Sequence, residues 1–223
     1  MTTREVVIST RGVTLPGTLC LPDNAERLVL FAHGSGSSRL SPRNQFVAEA
    51  LQQAGIGTLL FDLLTDPEAR DRRNVFAIEL LAERLELARE WVESQAGLDN
   101  ASLGYFGAST GAAAALVAAA DHPDAIGAIV SRGGRPDLAG EALRRVTAPT
   151  LLIVGGNDWD VLELNKDALN GLRCAKRLTV VPGATHLFEE PGTLERVATF
   201  ASDWFTTYLT GRTSSAQSAH TLR

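Results

Sequence analysis

The sequence predicts an α/β fold built on a mostly parallel sheet. Short runs rich in Val, Ile and Leu alternate with longer amphipathic segments along most of the chain. Most of these runs lack in/out alternation, as strands covered on both faces should. The alternation itself implies right-handed crossovers, each carrying a helix from one strand to the next parallel one.

The opening pair, REVVIST (4–10) and VTLPGTLCL (13–21), joined by a short Arg-Gly turn, reads as a hairpin. Six further strands are expected: RLVLFA (27–32), GTLLFD (57–62), SLGYFG (102–107), AIGAIV (125–130), TLLIVG (150–155) and RLTVVP (177–182). Ser41-Pro42 supplies an N-cap and an N1 proline for a helix ending near Gly55. The clearest helix covers about 75–95, with Ile78, Leu81, Leu85, Ala88 and Val92 on one stripe and Glu79, Glu83, Glu86 and Glu90 off it. Others are expected after Ser109, Asp137 and Val161, and a last one over about 193–209. The polar segment RTSSAQSAHTLR (212–223) lacks a core face and is expected to be disordered. No repeat or interdomain linker interrupts the rest, so residues 1–211 read as one domain.

Composition narrows the function classes. The 223 residues are 44% hydrophobic, enough for one substantial core. A net charge of −5 argues against nucleic acid or an anionic membrane as the main partner. Cys20 and Cys174 have neither metal-like nor redox spacing. No signal peptide is evident in MTTREVVIST, and no apolar run approaches the ~20 residues needed to span a bilayer. A cytoplasmic protein without metal or cofactor, either alone or as a homodimer, is the expectation.

The stretch GYFGASTGAAAAL (104–116) places Ser109 in a G-x-S-x-G pentapeptide between a strand end and a helix start. Such a turn holds the serine in a strained conformation and demands small neighbours, while the alanines after it keep the helix close to the sheet. Ser109 would stand at the carboxyl edge of the sheet, where open α/β folds bind ligands. The plainer alternative is a helix N-cap serine. A hydroxyl is a poor nucleophile at neutral pH and needs a base. Of four histidines, His220 lies in the polar tail, His122 follows the next helix, and His33 opens the turn HGSGSS. His186 remains, following the last strand through GATH to the same sheet edge. The base needs an acid to fix its tautomer. Asp158 and Asp160, in GNDWD after strand 150–155, compete for that role, and Asp158 lies nearer the strand end. Asp160 then suits the first turn of the next helix, and Asp62 comes before the serine in the chain. The order Ser109, Asp158, His186 is the one α/β-hydrolases use.

A tetrahedral intermediate also needs preorganised N–H donors. Thr110 offers one at the helix start, and the glycine-rich turn offers a second from Ser35, flanked by Gly34 and Gly36. G-S-G-S-S-R also approximates a dinucleotide loop, but arginine replaces its third glycine.

With these residues in place the chain resembles the α/β-hydrolases, and within them the dienelactone hydrolase group. The likeness spans about residues 3–209 and rests on the opening hairpin, FAHGSGSS, GYFGASTG, VGGNDWDV and PGATHLFEEPG. It implies an eight-stranded sheet with the second strand antiparallel, helices on both faces, and cofactor-free hydrolysis of a small-molecule carboxyl ester or lactone. Two departures stand out: dienelactone hydrolase uses a cysteine nucleophile, and it holds its substrate carboxylate with arginines, one shortly after the catalytic histidine. Here position 109 is serine, and Leu187, Phe188, Glu189 and Glu190 follow His186. A serine esterase is therefore expected rather than a hydrolase of carboxylate-bearing dienelactones. Thioester, peptide or carbon–carbon cleavage, or ligand binding without catalysis, are the alternatives the sequence leaves open. Some related hydrolases accompany phosphoribosyltransferase domains; no such domain is read here. Only SRGGRPDLAGEALRRVTAP separates strand 125–130 from strand 150–155, so no cap is expected over the site. Trp159, Leu187 and Phe188 are candidates for an apolar wall, or for core packing. Arg39, Arg132 and Arg135 are candidates for holding an anion, or for solvated surface positions.

Overall fold

The computed structural model describes residues 1–10 and 12–210. Arg11 of the hairpin turn and the polar segment 212–223, with His220, lie outside the described residues. Eight strands form one sheet: β1 (Thr2–Thr10), β2 (Val13–Leu21), β3 (Arg27–Ala32), β4 (Gly57–Phe61), β5 (Ser102–Ala108), β6 (Ala128–Arg132), β7 (Thr150–Gly155) and β8 (Lys176–Val181). Their spatial order is β1-β2-β4-β3-β5-β6-β7-β8. β2 runs antiparallel to both β1 and β4, and every pairing from β4 to β8 is parallel. This is the α/β-hydrolase fold expected from the sequence.

The two faces of the sheet carry two cores. On one, α1 (Pro42–Gln53) and α6 (Thr193–Tyr208) press Val47, Leu51, Val197 and Phe205 against Phe31, Phe106 and Val130. On the other lie α3 (Ile78–Glu93), α4 (Thr110–Asp121) and α5 (Trp159–Gly171), preceded by the one-turn helix α2 (Asp66–Ala69). β5 and β7 are buried throughout, which is why their sequences show no alternation. β8 is a half-exposed edge, and Lys176 and Arg177 put charge on it. Helix α1 starts where its signals place it: the Ser41 hydroxyl accepts from Asn44 N–H at 3.4 Å, with Pro42 in the first turn. Ala112 to Ala115 are fully buried, so α4 is apolar on every side because every side is covered.

Several element limits differ from the sequence pattern. β6 occupies 128–132 rather than 125–130. Ala125 N–H closes a turn onto His122 O, Gly127 N–H reaches Leu103 O, and the ladder starts at Gly104 opposite Ala128. It then continues through Ser131 and Arg132, whose polarity hides their burial. The helix expected after Asp137 is a 3-10 segment, Pro136–Arg145, broken at Gly140, where φ is 51°. α5 begins at Trp159 instead of near Val161, and the loop 65–74 contains α2. On α3 the expected stripe is buried, and so are Arg84 and Arg89, which its pattern does not announce. No helix among the described residues is long and apolar enough to cross a membrane.

Candidate active site

β5 ends at Ala108 and α4 begins at Thr110, leaving Ser109 alone in the turn with φ 50° and ψ −121°. A side chain there is strained, and the surroundings must hold it. The flanking glycines show how. A Cβ on Gly111 would stand 2.6 Å from His33 O and closer still to Ala32 O; one on Gly107 would stand 2.7 Å from Ala112 N. Ser109 N–H donates to Arg132 O at 3.3 Å, and Arg135 N–H donates to Ser109 O at 3.0 Å, pinning the turn to the end of β6. The hydroxyl makes no capping bond to α4, so the plain N-cap alternative does not describe it.

The loops that carry Asp158 and His186 are laced together. Gly156 N–H donates to Val181 O at 2.8 Å, Asn157 N–H to Ala184 O at 2.9 Å, and Asn157 Nδ2 to Gly183 O at 3.0 Å. Asp158 occupies the N-cap position of α5 but makes no side-chain cap. Its carboxylate instead accepts from His186 Nδ1–H at 2.7 Å. That bond places the proton on Nδ1 and leaves the Nε2 lone pair available as a base. Glu190 braces the base loop by accepting from Thr185 N–H at 3.1 Å, and bonding to Thr185 holds its carboxyl below the usual carboxylate range. Asp160 is exposed in the first turn of α5. Asp62 is engaged elsewhere, accepting from Arg39 N–H at 2.7 Å.

Ser109 and His186 each border the segment 132–133. Arg132 O holds the serine N–H, while a Cβ on Gly133 would lie 3.6 Å from His186 Cε1. Among the described residues neither the Ser109 hydroxyl nor His186 Nε2 has a hydrogen-bond partner, so the resting site contains the Asp–His bond without the Ser–His bond. Such bonds commonly tighten only when substrate is present.

Gly34 lies directly beside Ser109: a Cβ on it would sit 3.0 Å from Ser109 Cβ. Ser35 N–H and Thr110 N–H have no backbone acceptor among the described residues, and both residues line a cavity of about 300 Å³ together with Gly34 and Gly36. Leu63, Leu64, Val75 and Leu81 supply its apolar walls. His33 shapes the turn: Leu63 N–H donates to its Nε2 at 3.1 Å and its Nδ1–H donates to Gly34 O at 3.0 Å. Burial pushes the His33 imidazole below its ordinary value of 6.5. The unfolded chain therefore takes up a proton first as pH falls. Stability is full above about pH 6.5 and declines below it. Urea midpoints should drop between about pH 7.5 and pH 5.5, and drop less in His33→Gln; equal declines would contradict this role.

The remaining candidates are dispersed. Trp159 is 73% exposed and Leu187 is also exposed, flanking the acid and base. Phe188, a candidate for an apolar wall or for core packing, is 2% exposed, packed inside with φ 55°. The Arg132 side chain is buried beneath it, 6.0 Å from its ring, donating to Asn44 Oδ1 at 3.3 Å. Burial, with Arg43 nearby, pushes Arg132 down to about 10. Arg39 faces Asp62 and Glu5, each at 3.5 Å, and Arg135 pairs with Asp137 at 2.7 Å. None of these six residues lines the cavity. Sequence reading missed Leu63, Leu64, Val75 and Leu81 as cavity residues, and Leu81 reads only as part of the buried stripe of α3. Among the described residues no group of three or more His, Cys, Asp or Glu is arranged to hold a metal ion.

Comparison with known proteins agrees with this fold. The alpha/beta hydrolase fold family matches residues 27–146. The chain is 55% identical to a dienelactone hydrolase from Anabaena variabilis ATCC 29413, covering 94% of this chain and 99% of that one, with a TM-score of 0.92. Est1E from Butyrivibrio proteoclasticus, solved with ferulic acid, shares the fold at a TM-score of 0.79, with 18% identity over 91% of this chain and 98% of that one. A protein of Mycobacterium tuberculosis (strain ATCC 25618 / H37Rv) that carries a provisional phosphoribosyl transferase name is 58% identical over 207 residues, 93% of this chain and 47% of its own length. The chain thus spans about half the length of that curated relative.

Proposed function

This chain belongs to the α/β-hydrolase superfamily, in its dienelactone hydrolase-like group, and from that premise we propose that it is a serine hydrolase cleaving a small carboxyl ester or lactone through an acyl-enzyme intermediate. The observation that carries the reading is the 2.7 Å bond from His186 Nδ1–H to Asp158, made at the sheet edge where Ser109 stands in its strained turn. In the reaction His186 Nε2 takes the proton of Ser109 as its oxygen attacks the carbonyl carbon. Charge collects on the carbonyl oxygen, facing the N–H groups of Ser35 and Thr110. His186, with Asp158 stabilising the imidazolium, protonates the departing alcohol, and water releases the acyl group by the same steps reversed.

The phosphoribosyl transferase name belongs to a protein about twice as long, and the residues assembled here support hydrolysis instead. The absence of an arginine shortly after His186 favours an uncharged substrate over a carboxylate-bearing lactone. The test is turnover of p-nitrophenyl butanoate. The protein should release nitrophenolate, and Ser109→Ala should not. Equal rates in both would refute the proposal.

A further inference from the structure

One wall of the cavity beside Ser35 and Thr110 belongs neither to the sheet nor to a crossover helix. It is the segment 65–69, formed by Thr65 and α2, which presents Asp66 and Ala69 to the cavity. Glu68 fixes this segment in two directions. Its Oε2 accepts from Thr65 N–H and from the Thr65 hydroxyl, both at 2.9 Å, closing the turn on itself. Its Oε1 accepts from Arg84 Nη2 at 2.7 Å, and that arginine stands on α3 one turn beyond Leu81, another cavity residue. Asn74 Nδ2 donates to Glu68 O at 2.9 Å, and Asn74 O accepts from Ala77 N–H at 3.1 Å, just before α3.

Arg84 is unusual for a helix face turned inward. Its side chain is 6% exposed and its Nε has no partner. The other carboxylate within reach, on Glu83, is 3.9 Å away and largely in solvent. A buried guanidinium is costly unless closely paired, so Glu68 is held to this place, and the wall with it.

Substrate geometry gives the wall a consequence. In the tetrahedral intermediate the oxyanion faces Ser35 and Thr110, and the leaving oxygen faces His186. The acyl chain is the substituent left to enter the cavity that the oxyanion donors line and His186 does not. That space is small, at the low end of ligand sites, and its lining combines five aliphatic side chains with the polar ones of the 33–38 turn, Asp62, Asp66 and Thr110. Its charged lining residues are Asp62 and Asp66, with His33 neutral and no Lys or Arg. Resting on the hydrolase reading, we propose that Glu68 and Arg84 are positioning residues for specificity: their ion pair fixes the outer wall of the acyl subsite and restricts it to short, uncharged acyl groups.

The experiment is a series of p-nitrophenyl esters: acetate, butanoate and octanoate. In Arg84→Met the ratio of kcat/KM for octanoate to that for acetate should rise by about tenfold, with acetate turnover kept. Arg84→Lys should restore much of the native ratio. Glu68→Gln, a change in a partly exposed loop, serves if Arg84→Met does not fold, and should move the ratio the same way. A ratio unmoved in the folded variants, or an equal loss on all three esters, would overturn the inference while leaving the hydrolase reading intact. No turnover of any ester by the unaltered protein would overturn both.

Discussion

His186→Ala should lower kcat/KM for any ester the protein hydrolyses by about 10⁴-fold or more, with thermal stability little changed. The imidazole is 38% exposed and its one protein bond is to Asp158, so removing it opens no core cavity. The loss falls on chemistry, because a neutral hydroxyl needs a base to take its proton. Asp158→Asn should share most of that loss, since the amide no longer dictates which ring nitrogen carries the proton. Parallel initial rates and melting curves check both. Activity within a few-fold of the unaltered protein would mean that another group takes the Ser109 proton.

Gly111→Ala should have the second largest effect, acting on fold and activity together. The added methyl would meet the carbonyl oxygens of Ala32 and His33, which are backbone atoms of β3 and its exit and cannot rotate away. Relief requires α4 to move off the sheet, so we expect a loss of about 3 kcal/mol, or about 6–12 °C in Tm. Because Ser109 and the Thr110 N–H ride on the same turn, activity should fall by about a hundredfold even in the fraction that folds. Melting curves together with ester turnover measure the two effects. An alanine variant of native stability would show that the elbow is looser than this geometry requires.

How much of this was legible in the sequence follows from what each residue contacts. Strands β3, β4, β5 and β7 could be read because both of their faces are buried, which demands an unbroken apolar run. The nucleophile turn was legible because close backbone approach leaves glycine as the fitting residue at 107 and 111, and so marks the sequence. Asp158 and His186 came from strand ends and chain order, both of which are one-dimensional facts. What escaped depends on side chains meeting across the fold. Nothing near Arg84 shows that it turns inward, because its partner Glu68 is 16 residues away in the chain. Leu63 and Leu64 lie past the expected strand end at Asp62, and nothing in the chain order shows that they line the cavity. Phe188 reads either as a pocket wall or as core, and the left-handed turn at φ 55° takes it into the core. β6 was misplaced for a similar reason: Ser131 and Arg132 are buried polar residues, and a hydrophobic pattern stops short of them.

The measurement that bears most directly on the proposed chemistry is covalent labelling by a fluorophosphonate, followed by digestion and mass spectrometry. An activated serine at the turn predicts one adduct, on the peptide containing Ser109, forming at least about a hundredfold more slowly in His186→Ala. An adduct on a different residue, or labelling of Ser109 at the same rate without the imidazole, would contradict it.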